Sequence, residues 1–153
     1  MLPSIYWDKV GTIAKKDSYS VKFKRLDTNV QAGLSYRAHA ATDPHDAAAA
    51  AAFSAEFAER IGEDAKAMGG DLEIEATGTA SCAGLPAVTH ALTIRADVAI
   101  AVRAASVFAN GRAYTLTVSG PKLLYTADID ALVGTICKTL KISAGTDAAA
   151  PAP

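Results

Sequence analysis

Val98-Ala-Ile-Ala-Val-Arg-Ala-Ala-Ser-Val-Phe-Ala-Asn-Gly-Arg-Ala-Tyr-Thr-Leu-Thr-Val118 is the stretch whose reading decides the fold. Ile100 and Val102 open an apolar run that Val107 and Phe108 close, and Tyr114, Leu116 and Val118 mark the apolar face of the run that follows. Between them stands Asn110-Gly111. A two-residue type I′ loop needs positive φ at both central positions, and Asn-Gly supplies it at least steric cost, so the stretch predicts a β-hairpin. Gly120-Pro121 ends the second strand, because proline cannot donate to a ladder. Ile129, Leu132, Val133, Ile136 and Leu140 then recur at helical spacing. Asp128 and Asp130 are expected in the first turn of that helix and Lys138 and Lys141 in the last, the order a helix dipole favours, giving a helix over about 127–141.

Upstream of the hairpin, Val88, His90, Leu92 and Ile94 alternate with Thr89, Ala91, Thr93 and Arg95, the period of two of a strand. Leu72, Ile74 and Ala76 against Asp71, Glu73 and Glu75 predict another strand with an acidic outer face, followed by small residues ending in a Gly84-Leu85-Pro86 turn. Asp43-Pro44-His45-Asp46 reads as a helix start: Asp43 caps free amides, Pro44 has φ preset, and Asp46 meets the positive end of the dipole. Phe53, Phe57, Ile61, Ala65 and Met68 form an apolar stripe opposite Glu56, Glu59, Arg60, Glu63 and Lys66, so an amphipathic helix over about 44–68 is expected, ending at Gly69-Gly70. Before it, Tyr19, Val21 and Phe23, then Val30, Ala32, Leu34 and Tyr36, alternate as two strands, with Gly33 a candidate bulge.

These elements predict an α+β fold, an antiparallel sheet of about six strands with two helices packed on it. Residues 1–17 have no sustained periodicity and read as an N-terminal arm carrying the single tryptophan, Trp7, as a lid on the domain. Residues 18–142 read as one domain, and 143–153, with nothing to bury, as a disordered Ala/Pro tail.

Composition narrows the function. At 153 residues, half of them hydrophobic, the chain can exclude water from about two thirds of its unfolded surface. The net charge of −1 argues against nucleic acid, which needs a sustained basic field. No apolar run is long enough to span a membrane. No signal-peptide pattern stands at Met1, so the chain reads as cytoplasmic as written, and as periplasmic or envelope-bound if its start has been trimmed. Cys82 and Cys137 are read as two buried thiols, a single long-range disulfide in an oxidising compartment being the alternative.

Candidate chemistry is sparse. Ser81 or Cys82 with His90 is the one nucleophile–base pairing near in sequence, but no Gly-x-Ser-x-Gly elbow or phosphate loop accompanies it, and His90 on an apolar strand face reads as a core histidine bonded to a neighbour. His39, His45, Asp43 and Asp46 straddle a helix N-terminus whose dipole repels cations, and capping accounts for the aspartates, so no metal site is expected. Glu73 and Glu75 share a strand face and read as solvated acids. No cofactor is implied.

Asn110-Gly111-Arg112-Ala113-Tyr114-Thr115-Leu116-Thr117-Val118 with its closing helix, the long helix ending in Gly69-Gly70, and the Gly84-Leu85-Pro86-Ala87 strand together resemble the Mog1p/PsbP-like family over residues 46–142. The resemblance implies a sandwich around an antiparallel sheet, no catalytic set, and the company of accessory proteins: photosystem extrinsic subunits, a nuclear transport cofactor, bacterial envelope lipoproteins of the DcrB and LpqN kind, and effector chaperones. It implies a non-enzymatic bacterial accessory protein that binds a partner protein of an envelope or secretion system, with carriage of a small apolar ligand between helix and sheet as the alternative; a hydrolase using Ser81 and His90, read from the residues alone, is the weakest reading. Binding is expected through the sheet edge and the surface near the hairpin, with Trp7, His90, Arg103, Arg112 and Tyr114 as candidate contacts.

Overall fold

The structure, a computed structural model, describes residues 7–16, 18–25, 29–38 and 47–142. The helix-start residues Asp43 to Asp46, His39 and the tail 143–153 lie outside the described residues. The chain runs β1 (Trp7–Lys15), β2 (Ser18–Arg25), β3 (Gln31–Ala38), α1 (Ala47–Ala67), β4 (Asp71–Cys82), β5 (Leu85–Arg95), β6 (Ile100–Ala109), β7 (Arg112–Pro121) and α2 (Lys122–Thr139). All strands belong to one antiparallel sheet in the order β1-β2-β3-β7-β6-β5-β4. Two meanders thus meet at the β3–β7 ladder, and α1 carries the chain from the inner edge of the first to the far edge of the second.

The sheet has one strand more than the alternation in the sequence indicates. The extra strand is β1, inside the segment read as an arm. As an edge strand it pairs on one side only, with a register shift between Lys9 and Gly11, and Gly11 to Lys16 are all exposed, so no apolar alternation marks it. Gly33 makes no bulge. The second register shift falls in β4, between Ile74 and Ala76.

The strands divide their side chains between two helices. On one face α1 lays Phe53, Phe57 and Ala65 over Val88, Leu92, Ile94, Val102, Ala104, Phe108 and Ala113. Phe53 and Phe57 are each 1% exposed, and burying such a ring contributes about 1.5–3 kcal/mol. On the other face α2 lays Ile129 and Ile136 over Val30, Ala32, Ala87, Ala101, Ala105, Val107, Leu116 and Val118. The result is a helix–sheet–helix sandwich.

Both helices end or begin where local chemistry demands. Gly69 closes α1 at φ 77°, and at Gly70 a Cβ would collide with the Arg95 carbonyl group, so only glycine fits. The C-terminal helix begins at Lys122, five residues before the apolar stripe suggests. Pro121 is its N-cap at φ −56°, and the Lys122 N–H bonds to the Ala99 carbonyl at 2.8 Å. Its first turn carries Leu123 and Leu124, 96% and 73% exposed, so it adds nothing to the buried stripe from which the start was read. Asp128 and Asp130 consequently lie inside the helix, and no acid stands in its first turn.

The two cysteines form a disulfide, correcting the reading as free thiols. Cys82 ends β4 with its side chain on the α2 side, and the last turns of α2 bring Cys137 over it with Cα atoms 4.4 Å apart. The 55-residue separation hid this in the sequence. Beside it, the Ala83 N–H bonds to the Cys137 carbonyl at 2.8 Å.

Candidate functional site

Alternation in β2, β3 and β7 sends Tyr19, Tyr36 and Tyr114 to the α2 side of the sheet, and the ladder registers place Tyr19 opposite Tyr36 and Tyr36 opposite Tyr114. The rings make a row across three strands: Tyr19 and Tyr36 are stacked with centroids 5.8 Å apart, and Tyr36 and Tyr114 are tilted at the same spacing. Such aromatic contacts on a sheet face contribute beyond their buried area. Arg112, the first residue of β7, lies over the Tyr36 ring at 4.6 Å from its centroid. The helix α2 stops short of this row. Between the tyrosines and the segment Leu140 to Ile142 a cavity of about 320 Å³ remains, with Cys82, Val107 and Leu116 among its walls. Lys141 is the other polar side chain on this face that lines it besides the tyrosines, and no acid lines it.

Farther along the same face, a polar cluster fastens the start of α2 to the sheet. The bulge in β4 turns Glu75 toward Lys122, whose Nζ donates to Glu75 Oε1 and to Thr93 Oγ1, each at 2.9 Å. Thr93 also hydrogen-bonds Glu75. Arg103 Nε donates to Asp130 Oδ1 at 2.8 Å, its Nη1 donates to the Leu92 and Val102 carbonyls, each at 3.2 Å, and its Nη2 stands 3.9 Å from Glu75 Oε2. The hydrogen bonds from Thr93 and Lys122 hold the Glu75 carboxyl below the usual carboxylate range. Glu75 is therefore a structural acid with three partners, where the sequence pattern reads as a solvated one. These residues satisfy one another and leave no reactive group.

The candidate contacts named from the sequence do not converge. Arg112 and Tyr114 belong to the tyrosine row. Arg103 is on the same face but pairs with Ala91 and Val118, six residues along β6 from the hairpin end, about 20 Å at the rise of a strand. His90 lies on the opposite face. It is 3% exposed and stacked on Phe57 with centroids 4.6 Å apart. Neither ring nitrogen has a hydrogen-bond partner, so it is held by packing and not by the neighbourly bond expected of it. Burial pushes its pKa below the ordinary histidine value. Trp7 pairs with Arg25 through the backbone of β1, and its side chain lies outside the described residues.

Ser81 and His90 form no catalytic pair. Ser81 pairs with Pro86 and His90 with Thr77, four residues away along the same ladder, or about 13 Å. The groups that sequence reasoning missed are Tyr19 and Tyr36. They appear in the sequence as strand residues, and only the β3–β7 ladder, joining segments some 80 residues apart, brings them to Tyr114. Among the described residues no cluster of three or more His, Cys, Asp or Glu is placed to hold a metal ion, and no helix is long and apolar enough to cross a membrane.

The sandwich matches solved structures. The solution structure of cyanobacterial PsbP (CyanoP) from Synechocystis sp. PCC 6803 superposes with a TM-score of 0.70 at 13% identity, over 90% of this chain and 82% of that one. PA94, a protein of unknown function from Pseudomonas aeruginosa, superposes with a TM-score of 0.52 at 13% identity, over 85% of this chain and 88% of that one. No protein-family model matches the sequence, and no curated protein does. The likeness is one of fold: the chain adopts the PsbP/Mog1p-like α+β sandwich.

Proposed function

We propose that this PsbP/Mog1p-like sandwich is a non-enzymatic accessory or regulatory protein that acts by binding a partner protein. The observation that carries the reading is the outer edge of β4. Ile74 to Ser81 are exposed, and from Ala76 to Ser81 the strand is Ala-Thr-Gly-Thr-Ala-Ser, without charge or proline. Natural edge strands are usually blunted by lysine, proline or a short length; a long neutral edge is a template onto which an extended segment of another protein adds as a further strand. The disulfide supports a site of action in an oxidising compartment, which fits a partner in the bacterial envelope or in secretion.

A photo-crosslinking residue at Thr79, expressed in the native host, is expected to capture one discrete protein, and Thr77→Lys on the same edge to abolish the product. A crosslinker at the exposed Glu63 of α1 serves as control. The same products from both positions, or none from Thr79, would overturn the reading. A second reading, carriage of a small apolar ligand, is supported by the cavity of about 320 Å³ under the end of α2, which lies within the size range of small-molecule sites.

A further inference from the structure

We infer that the cavity beneath the C-terminal end of α2 binds a small planar aromatic carboxylate. This rests on the carrier reading above and names the ligand's chemistry. Three properties of the cavity select that class. Its volume of about 320 Å³ equals the liquid volume of roughly ten waters, which suits a one- or two-ring compound and is at the low end for a lipid chain. Its walls include Tyr19, Tyr36 and Tyr114, stacked or tilted against one another at 5.8 Å, and edge-on contacts from such a row favour a planar aromatic guest. The hydroxyls of the three tyrosines make no hydrogen bond to protein among the described residues, so they are free to accept and donate to a guest.

Charge then decides the head group. A row of tyrosines is also the material of a cage for cations, but here the protein supplies its own cation: the Arg112 guanidinium already covers Tyr36 at 4.6 Å. Lys141 reaches the cavity, no aspartate or glutamate lines it, and among the described residues neither Arg112 nor Lys141 has an ion-pair partner. The field at the mouth is positive. An ammonium guest is repelled there, while a carboxylate gains charge-assisted hydrogen bonds as its ring displaces water from apolar walls.

The test is calorimetric titration of the oxidised full-length protein with 2-naphthoate, with the neutral isostere 2-naphthamide, and with 2-naphthylmethylammonium. Saturable 1:1 binding of the naphthoate is expected, about fivefold tighter than the amide, with the ammonium weakest, since a half-exposed charge contact is of that order. Lys141→Gln, on the surface and outside the core, is expected to reduce the acid-to-amide ratio to near one; Tyr36→Leu is expected to weaken both about tenfold. Equal affinity for acid and amide, or a ratio unmoved by both Lys141→Gln and Arg112→Gln, would overturn the carboxylate assignment and leave the carrier reading standing. Failure of all three probes to bind at millimolar concentration would overturn both. Should Tyr36→Leu not fold, the Lys141→Gln comparison decides alone.

Discussion

The two faces of the sheet are closed by different means. Under α1 the closure is mainly packing: Phe53 stacks on Phe57, meets Phe108 edge-on with centroids 5.1 Å apart, and Phe57 stacks on His90, with an exposed ion pair from Arg37 Nη1 to Glu56 Oε1 at 2.8 Å beside them. Under α2 the contacting residues are mostly alanine, valine and isoleucine, and the helix is fastened at one end by a disulfide and at the other by the ion pairs of Lys122 and Arg103. Bulky rings reach across a gap with only an exposed ion pair beside them. A helix seated on small side chains buries less surface per residue, and tethers at its two ends compensate. The same economy explains the cavity, since α2 is held at Cys137 and leaves the tyrosine row beyond it uncovered.

Removing one ring from the α1 face should therefore have the largest effect. Phe57→Ala leaves a cavity beside His90 and is expected to cost about 3–5 kcal/mol, measured by urea unfolding of the oxidised protein. Next comes the tether. Reduction, or Cys82→Ser with Cys137→Ser, removes a cross-link closing 55 residues, for which the chain-entropy model gives about 4 kcal/mol and engineered cases often less. If the α1 face is held mainly by packing and independently of the disulfide, the loss should appear first as faster amide exchange in α2 and only afterwards in α1. Equal acceleration in both helices would break the comparison.

A smaller effect separates the faces by pH. Burial favours the neutral form of His90 in the fold, so its folded pKa lies below the unfolded value of 6.5. On acidification the unfolded chain takes up the proton first. The stabilising contribution is therefore complete above 6.5 and declines as the pH falls from there towards the folded value. Glu75 on the other face acts in a lower window: its folded pKa is also depressed, so its contribution is present above 4.5 and is lost as the pH falls below that value. A fall in the denaturation midpoint between pH 7 and pH 5 that His90→Phe abolishes and Glu75→Gln leaves alone is the expected outcome.

The smallest prediction compares two turns. Asn110-Gly111 and Ala83-Gly84 both close hairpins with positive φ at each position, 56° and 70° in one, 56° and 74° in the other. Asparagine tolerates the left-handed region and alanine does not. Ala83→Gly is expected to stabilise the protein by about 0.5–1 kcal/mol, a balance of relieved strain against a more flexible unfolded chain, seen as a higher melting temperature. Asn110→Gly should change little.

The contrast between these turns also shows what was legible beforehand. The Asn110-Gly111 hairpin, the faces of β2, β3, β5 and β7, and the stripe of α1 are written in local periodicity, and they suffice for the sheet and its two helices. Ala83 carries no turn signal of its own; its geometry is maintained by strand pairing on both sides and by the bond from its N–H to Cys137. β1 was illegible because an exposed edge needs no alternation. The candidate site was least legible of all. Arg112 and Tyr114 could be picked out beside the hairpin, but the cavity depends on Tyr19 and Tyr36 arriving by the β3–β7 ladder, and on where α2 stops. Arg103 looked like a surface contact because an arginine on a strand resembles one; its partners, Asp130 and two carbonyls, come from three separate segments.

The cross-link between β4 and α2 also changes how the molecule carries force. The ring it closes contains β5, β6, β7 and most of α2, and excludes β1, β2, β3, α1 and all of β4 but Cys82. A chain stretched from its two ends in the oxidised state transmits tension across the sulfurs, so the residues between them, 83–136, are shielded from the load, and full extension falls short of the reduced chain by about 190 Å at the reach of an extended backbone. The β3–β7 and β4–β5 ladders are then the seams along which tension peels the first meander and β4 from a β5–β7 unit that stays locked.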